Sequence, residues 1–265
     1  MNRIESLFIK AKKENRKIFT AFLSMGYPTL ELSEKAVETL IENGADIIEF
    51  GIPFSDPMAD GPVIRKAAEQ ALKNGVTFEK ILESAKRLRK KYPETPLVLF
   101  SYYNILFSRG TEKAAKMAAD AGFDAVLAVD LPLEERDEFL IPLKKHGLTI
   151  VPLIAPATPP ERISKIAKGV EDSFLYVITV NGVTGTRNEL PEGLEERLNT
   201  IRTETGMPIL AGFGVSKPEH AALISKASDG FIIGSAIEKI LLDHPDESAL
   251  PILAEFTRSF KALPA

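Results

Sequence analysis

Eight short, almost uninterrupted apolar runs recur along the chain, and the segments between them carry their apolar residues at helical spacing. The runs are "IFTAFLS" from 18, "DIIEFG" from 46, "PLVLFS" from 96, "DAVLAVD" from 124, "LTIVPLI" from 148, "FLYVIT" from 174, "PILAGF" from 208 and "GFIIGS" from 230. Strands covered on both faces read this way, without polar alternation. Between them, a segment such as "TLELSEKAVETLIENG" puts Val37, Leu40 and Ile41 on one face and ends at Gly44, a left-handed stop. Strand then helix, repeated, predicts a parallel sheet. Eight such units in 265 residues favour a closed (β/α)₈ barrel, an α/β fold, over an open doubly wound sheet. "NGADIIEFG", "AGFDAVLAVD" and "KASDGFIIG" each pass from a helix end through an aspartate into a strand, as one reused unit would. No linker or low-complexity stretch divides residues 1–265, which read as a single domain. Ahead of the first strand, Ile4, Leu7, Phe8 and Ala11 form the apolar face of an extra amphipathic helix, unlike a signal or transit peptide.

Composition narrows the function classes. A net charge of -4 lacks the basic footprint of a nucleic-acid binder, so an anionic ligand would need a local site. The chain has no cysteine, which removes disulfides and thiol catalysis. No apolar run approaches the roughly 20 residues of a membrane span. The expectation is a soluble, cytoplasmic protein without nucleic-acid or membrane partners.

The run "DIIEFGIPFSDPMADGP", residues 46 to 62, places a glutamate inside an apolar strand and two aspartates in the following loop. Side chains alternate along a strand, so if Ile48 and Phe50 pack against helices, Glu49 points into the bore. It also lies near the C-terminal end of its strand, where barrel active sites are built. Apolar surroundings should raise its pKa, letting it carry a proton in one step and release it in the next. The competing reading is an ion pair with a base from another strand. Asp60, just ahead of "GPVIRKAAEQALKNG", suits either a site role or a helix cap, and Asp56 suits turn geometry.

Near the C-terminus, Gly214, Gly234 and Ser235 fall at the ends of the seventh and eighth runs. Glycine admits an anion close to the backbone, and a helix starting near Ser235 would aim free N–H groups at it, the usual phosphate position in such barrels. The polar loop "VNGVTGTRNE" from 180 is long enough to act as a lid. Phe22, Phe100, Tyr102, Leu127, Ile154 and Phe213 lie on or just past the runs, as core or as walls of an apolar slot. His146, His220 and His244 lack metal-ligand spacing and read as solvated surface, so no metal site is expected.

"GADIIEFGIPFSDPMADGPVI" closely resembles the signature of the tryptophan synthase alpha chain family, and the likeness extends over essentially the whole chain through "GVTG" at 182, "GFGVS" at 212 and "GSAI" at 234. The resemblance implies a (β/α)₈ barrel that cleaves indole-3-glycerol phosphate to indole and glyceraldehyde 3-phosphate. It implies an alpha-beta-beta-alpha complex, in which pyridoxal phosphate belongs to the beta chain and this chain carries no cofactor. It assigns Glu49 and Asp60 as catalytic acids with Tyr176 beside them. It matches Gly185, Gly214, Gly234 and Ser235 to the phosphate contacts, Thr184 to the substrate site, and Phe22, Phe100, Tyr102, Leu127, Ile154 and Phe213 to the indole pocket. Pro53, Phe54, Asp56 and Pro57 are candidates for the beta contact. Departures from the family's usual residues fall at Val180, Arg65, Ile105 and the "SMGYP" loop at 24, and leave the acid pair untouched. Two other readings remain open: an isomerase or cyclase for another phosphorylated substrate in the same kind of barrel, and a regulatory subunit with vestigial chemistry.

Overall fold

All eight apolar runs form strands of one parallel sheet in the computed structural model, which describes residues 2–179, 193–212 and 214–261. The strands are β1 (Ile18–Ser24), β2 (Ile47–Gly51), β3 (Leu97–Ser101), β4 (Ala125–Ala128), β5 (Thr149–Ile150), β6 (Leu153–Ile154), β7 (Leu175–Ile178), β8 (Ile209–Gly212) and β9 (Gly230–Ile233). There are nine rather than eight because the fifth run divides at Pro152, which has no N–H to give to a ladder. Its first half pairs with β4, continued by Val151 N–H to Val126 O at 2.9 Å. Its second half pairs with β7, with Tyr176 N–H donating to Pro152 O at 2.9 Å. Pairing of β1 with β9, from Ile18 opposite Gly230 to Ala21 opposite Ile233, joins the chain's first strand to its last. The result is the expected α/β barrel.

Strand alternation sorts the apolar residues into two layers. Ile48, Phe50, Leu97 and Leu99 pack outward against the helices. Ile18, Ile47, Val98, Ala125, Phe174 and Leu210 fill the bore. The extra helix Arg3–Lys13 joins that inner layer through Ile4 and Ala11, with Phe8 beside Phe174 at 6.0 Å between ring centroids. It starts at Asn2, whose side-chain oxygen accepts the Glu5 N–H at 2.9 Å. His220, expected at the surface, is only 6% exposed: it shares a helical face with Ile224, and that face turns inward.

The reused aspartate has a structural role at the N-terminal end of the ring. The backbone N–H groups of Asp46, Asp124 and Asp229 donate to Phe19 O, Leu97 O and Ile209 O at 2.8, 2.9 and 2.9 Å. Their carboxylates accept the N–H groups of those same residues at 2.9, 2.8 and 2.8 Å. Each also meets an arginine: Arg16 at Asp46, Arg202 at Asp229, and both Arg3 and Arg89 at Asp124. One carboxylate thus starts the ladder between two strands and pins a nearby helix.

Asp124, whose side chain is 3% exposed, is the most enclosed of the three. Asp124→Ala should lower the unfolding free energy by about 3–5 kcal/mol, because two guanidinium groups and the Leu97 N–H lose their acceptor. Urea denaturation measures this, and a loss below about 1 kcal/mol would show the hub to be dispensable.

Candidate active site

At the C-terminal end of the ring lies a cavity of about 410 Å³, walled by Phe22, Asp60, Phe100, Leu153, Tyr176, Gly214, Gly234 and Ser235 among others. Phe22 and Phe100 meet edge to face, ring centroids 4.9 Å apart, across the strand that lies between theirs. They can meet because β2 ends in glycine: a Cβ on Gly51 would stand 2.5 Å from the Phe22 ring. A Cβ on Gly212 would come within 3.3 Å of the Tyr176 ring, and one on Gly234 within 3.1 Å of Phe22. Glycine at three strand tops therefore makes room for an apolar slot.

Glu49 sits on β2, directly opposite Phe22 of β1 and Val98 of β3. It is fully buried, and neither carboxyl oxygen has a hydrogen-bond partner among the described residues. The ion-pair reading fails, since no base contacts it there. Desolvation alone pushes its pKa up to about 8. Tyr176, part-open to the cavity, has its hydroxyl pushed well above the ordinary range by burial and by the Glu49 and Asp60 carboxyls. It remains a neutral phenol, able to donate.

Asp60 is not the cap of the helix Pro62–Lys73. The N-cap there is Gly61, with no side-chain cap bond. Instead the Tyr102 hydroxyl donates to Asp60 Oδ2 at 3.1 Å and accepts the Ala59 N–H at 2.9 Å. The Tyr102 ring stacks on Phe54 at 4.9 Å, so one tyrosine holds both ends of the loop. Burial raises the Asp60 pKa, while the Tyr102 hydrogen bond and the Arg65 charge pull it down.

Several expected slot residues are placed otherwise. Tyr102 is 2% exposed and clamps the loop rather than walling the cavity. Leu127, like Glu49, is wholly buried in the barrel interior and is not among the residues that wall the open cavity. Ile154 packs in the outer layer, because alternation along the fifth run turns Val151 and Leu153 inward and Ile150 and Ile154 outward; Leu153 takes the wall position. Thr184, Gly185 and Phe213 lie outside the described residues.

The far end of the cavity is backbone-rich. Gly214 has φ +63°, which suits glycine, and the helix Ser235–Asp243 begins at Gly234 without a side-chain cap. Its first N–H groups lack intrahelical acceptors and open beside the cavity, a setting suited to an anion. Sequence reasoning passed over Glu238 on that helix. It is fully buried, accepts the Ser24 N–H, leaves Oε2 unpartnered, and has its pKa pushed to about 7 by desolvation. The available signal was an acid between Ile237 and Lys239, one residue from the apolar face of the helix. Among the described residues, no group of three or more His, Asp or Glu could hold a metal ion.

A family model described as tryptophan synthase alpha chain matches residues 8–262. The tryptophan synthase alpha chain of Aquifex aeolicus is 42% identical over 241 residues, spanning 91% of this chain and 92% of that one. The crystal structure of tryptophan synthase subunit alpha from Legionella pneumophila superposes with a TM-score of 0.89 at 32% identity, covering 98% of this chain and 97% of that chain. A chain of tryptophan synthase from M. tuberculosis gives 0.88 at 28% identity, with 100% of both chains covered.

The buried Glu49 has a measurable consequence. Its folded pKa of about 8 stands above the ordinary 4.5, so the folded state holds a proton that the unfolded state has lost. Stability is therefore complete below about 4.5 and falls as pH rises towards 8. Between pH ~5 and ~9, Glu49→Gln should gain up to about 5 kcal/mol in unfolding free energy relative to the parent chain. Denaturation at both pH values tests this; a difference that does not change with pH would mean the carboxyl does not titrate there.

Proposed function

The chain belongs to the tryptophan synthase alpha chain family, lyases that split indole-3-glycerol phosphate into indole and glyceraldehyde 3-phosphate, and we propose that Glu49, Asp60 and Tyr176 carry out that cleavage here. One observation carries the assignment: a fully buried carboxyl with both oxygens unpartnered among the described residues, on the strand between those that supply Phe22 and Phe100. A pKa of about 8 keeps Glu49 largely protonated near neutral pH, in the form that a general acid needs.

The indole ring occupies the slot between Phe22, Phe100 and Leu153, and the phosphate lies against Gly214, Gly234 and Ser235. Glu49 gives its proton to indole C3, which breaks the ring's conjugation and leaves positive charge at the ring nitrogen. The resulting carboxylate then takes the proton of the adjacent side-chain hydroxyl. As that oxygen forms a carbonyl, the bond between C3 and the glycerol chain breaks, and its electron pair returns to the ring to give indole. One carboxyl serves both transfers and ends protonated, as it began.

Asp60 accepts the indole N–H and offsets the charge that develops there. Tyr102 fixes its position and, with Arg65, partly offsets the burial that raises its pKa. Tyr176 supplies a neutral donor beside both acids. The proposed beta partner, which would carry the pyridoxal phosphate, docks over the loop that holds Asp60 in a complex of two alpha and two beta chains. That loop exposes Met58 at 85%, an apolar side chain suited to a protein contact. Pressure there would act on Asp60 through the Tyr102 clamp. A cytoplasmic setting agrees with this small-molecule chemistry.

Purified protein should release indole from indole-3-glycerol phosphate, and faster with a beta chain present. Glu49→Gln should cut kcat by about 10³-fold or more while the folded state persists, and Asp60→Asn by roughly 10²-fold with residual turnover. Near-normal indole release by Glu49→Gln would reject the proton-transfer role.

A further inference from the structure

The phosphate end of the cavity is lined by glycines and one serine, yet the group it receives carries up to two negative charges. Backbone N–H groups and a helix terminus supply only partial positive charge. Among the described residues, a single basic residue lines the cavity: Lys239. It stands four positions after Ser235 on the same nine-residue helix, so both lie on one face. Helical side chains lean towards the N-terminus, so the reach of Lys239 runs back over the turn where the phosphate sits.

Lys239 presently points the other way along that face. Its ammonium contacts Asp243, again four positions on, at 2.8 Å to Oδ2 and 3.2 Å to Oδ1. Both side chains are more than half exposed, at 65% and 54%, and exposed pairs at this spacing are weak. A phosphate arriving at the helix terminus offers the ammonium a stronger, less solvated partner. Asp243 is not stranded by the exchange, because Lys66 and His244 also act on its carboxylate and help hold its pKa low.

We propose that Lys239 is a phosphate-binding residue of this site, its ammonium passing from Asp243 to the ligand's phosphate as the ligand enters. The assignment rests on the reading above that the phosphate lies against Gly214, Gly234 and Ser235. Three side chains at successive four-residue steps then form one track: Ser235 at the terminus, Lys239 as the moving cation and Asp243 as its resting place.

The test combines steady-state kinetics on indole-3-glycerol phosphate with competitive inhibition by glycerol 3-phosphate. Lys239→Gln should raise both KM and the inhibition constant by about 5- to 20-fold, with kcat changed less than about 2-fold, and should flatten their dependence on salt. Lys239→Arg should recover most of the affinity. Asp243→Asn should tighten binding by about 2-fold, opposite in sign to any loss of helix stability. Unchanged constants in Lys239→Gln, with weaker binding in Ser235→Ala, would overturn the role of Lys239 and leave the phosphate site standing. Weaker binding in Asp243→Asn would overturn the hand-over. Failure of the parent protein to bind glycerol 3-phosphate at all would remove the phosphate site and Lys239 with it.

Discussion

Closing a parallel sheet into a ring gives every strand an inner face that water does not reach, and it sends all strand C-termini to the same end. Both consequences run through this molecule. β1 meets β9 by direct pairing, while the fifth run closes the other side in two halves around Pro152. Once the ring is shut, an inward side chain is either core or chemistry. Ile47 and Glu49 stand two residues apart on the same face of β2 and illustrate each outcome.

The two ends of the ring treat carboxylates in opposite ways. At the N-terminal end, Asp46, Asp124 and Asp229 each accept a strand N–H and meet an arginine, so their charge is compensated where it stands. At the C-terminal end, among the described residues, Glu49 has no partner and Glu238 has one N–H, and desolvation drives both pKa values upward. The first arrangement stabilises; the second opposes stability and makes the proton available. Segregation by end lets one fold contain both. The well-paired acids lie where strands begin and arginines from nearby helices and from the turn before β1 can reach, far from the loops that shape the cavity.

Much of this was legible in the residues alone. Continuous apolar runs and intervening helical periods were enough to predict the barrel, and two-residue alternation was enough to turn Glu49 inward. What alternation could not reveal was function at a helix start, since Asp60 and Gly61 both suit that position and only the Tyr102 contact separates them. Tyr102 itself is one residue past β3, where the strand's parity no longer dictates direction, and it turns to the loop rather than the slot. Ile154 is a different case. Parity along the fifth run places it outside, so of the two readings its position allowed, core or slot wall, it takes the first. Glu238 left a faint mark in the sequence, because its acceptor role depends on where β9 stops, a tertiary fact.

That stopping point links the two halves of the cavity. The pairing of β9 with β1 ends at Ile233 opposite Ala21, so the Ser24 N–H, farther along β1, has no strand carbonyl on that side. The Glu238 carboxyl takes the place of the missing carbonyl. In doing so it fastens the helix Ser235–Asp243 to the strand that carries Phe22. The anion end of the cavity and one wall of its apolar slot are therefore tied to a common strand, one turn of helix apart. A molecule that spans both ends meets a fixed separation between them, which is the preorganisation that the proposed role of Glu49 needs.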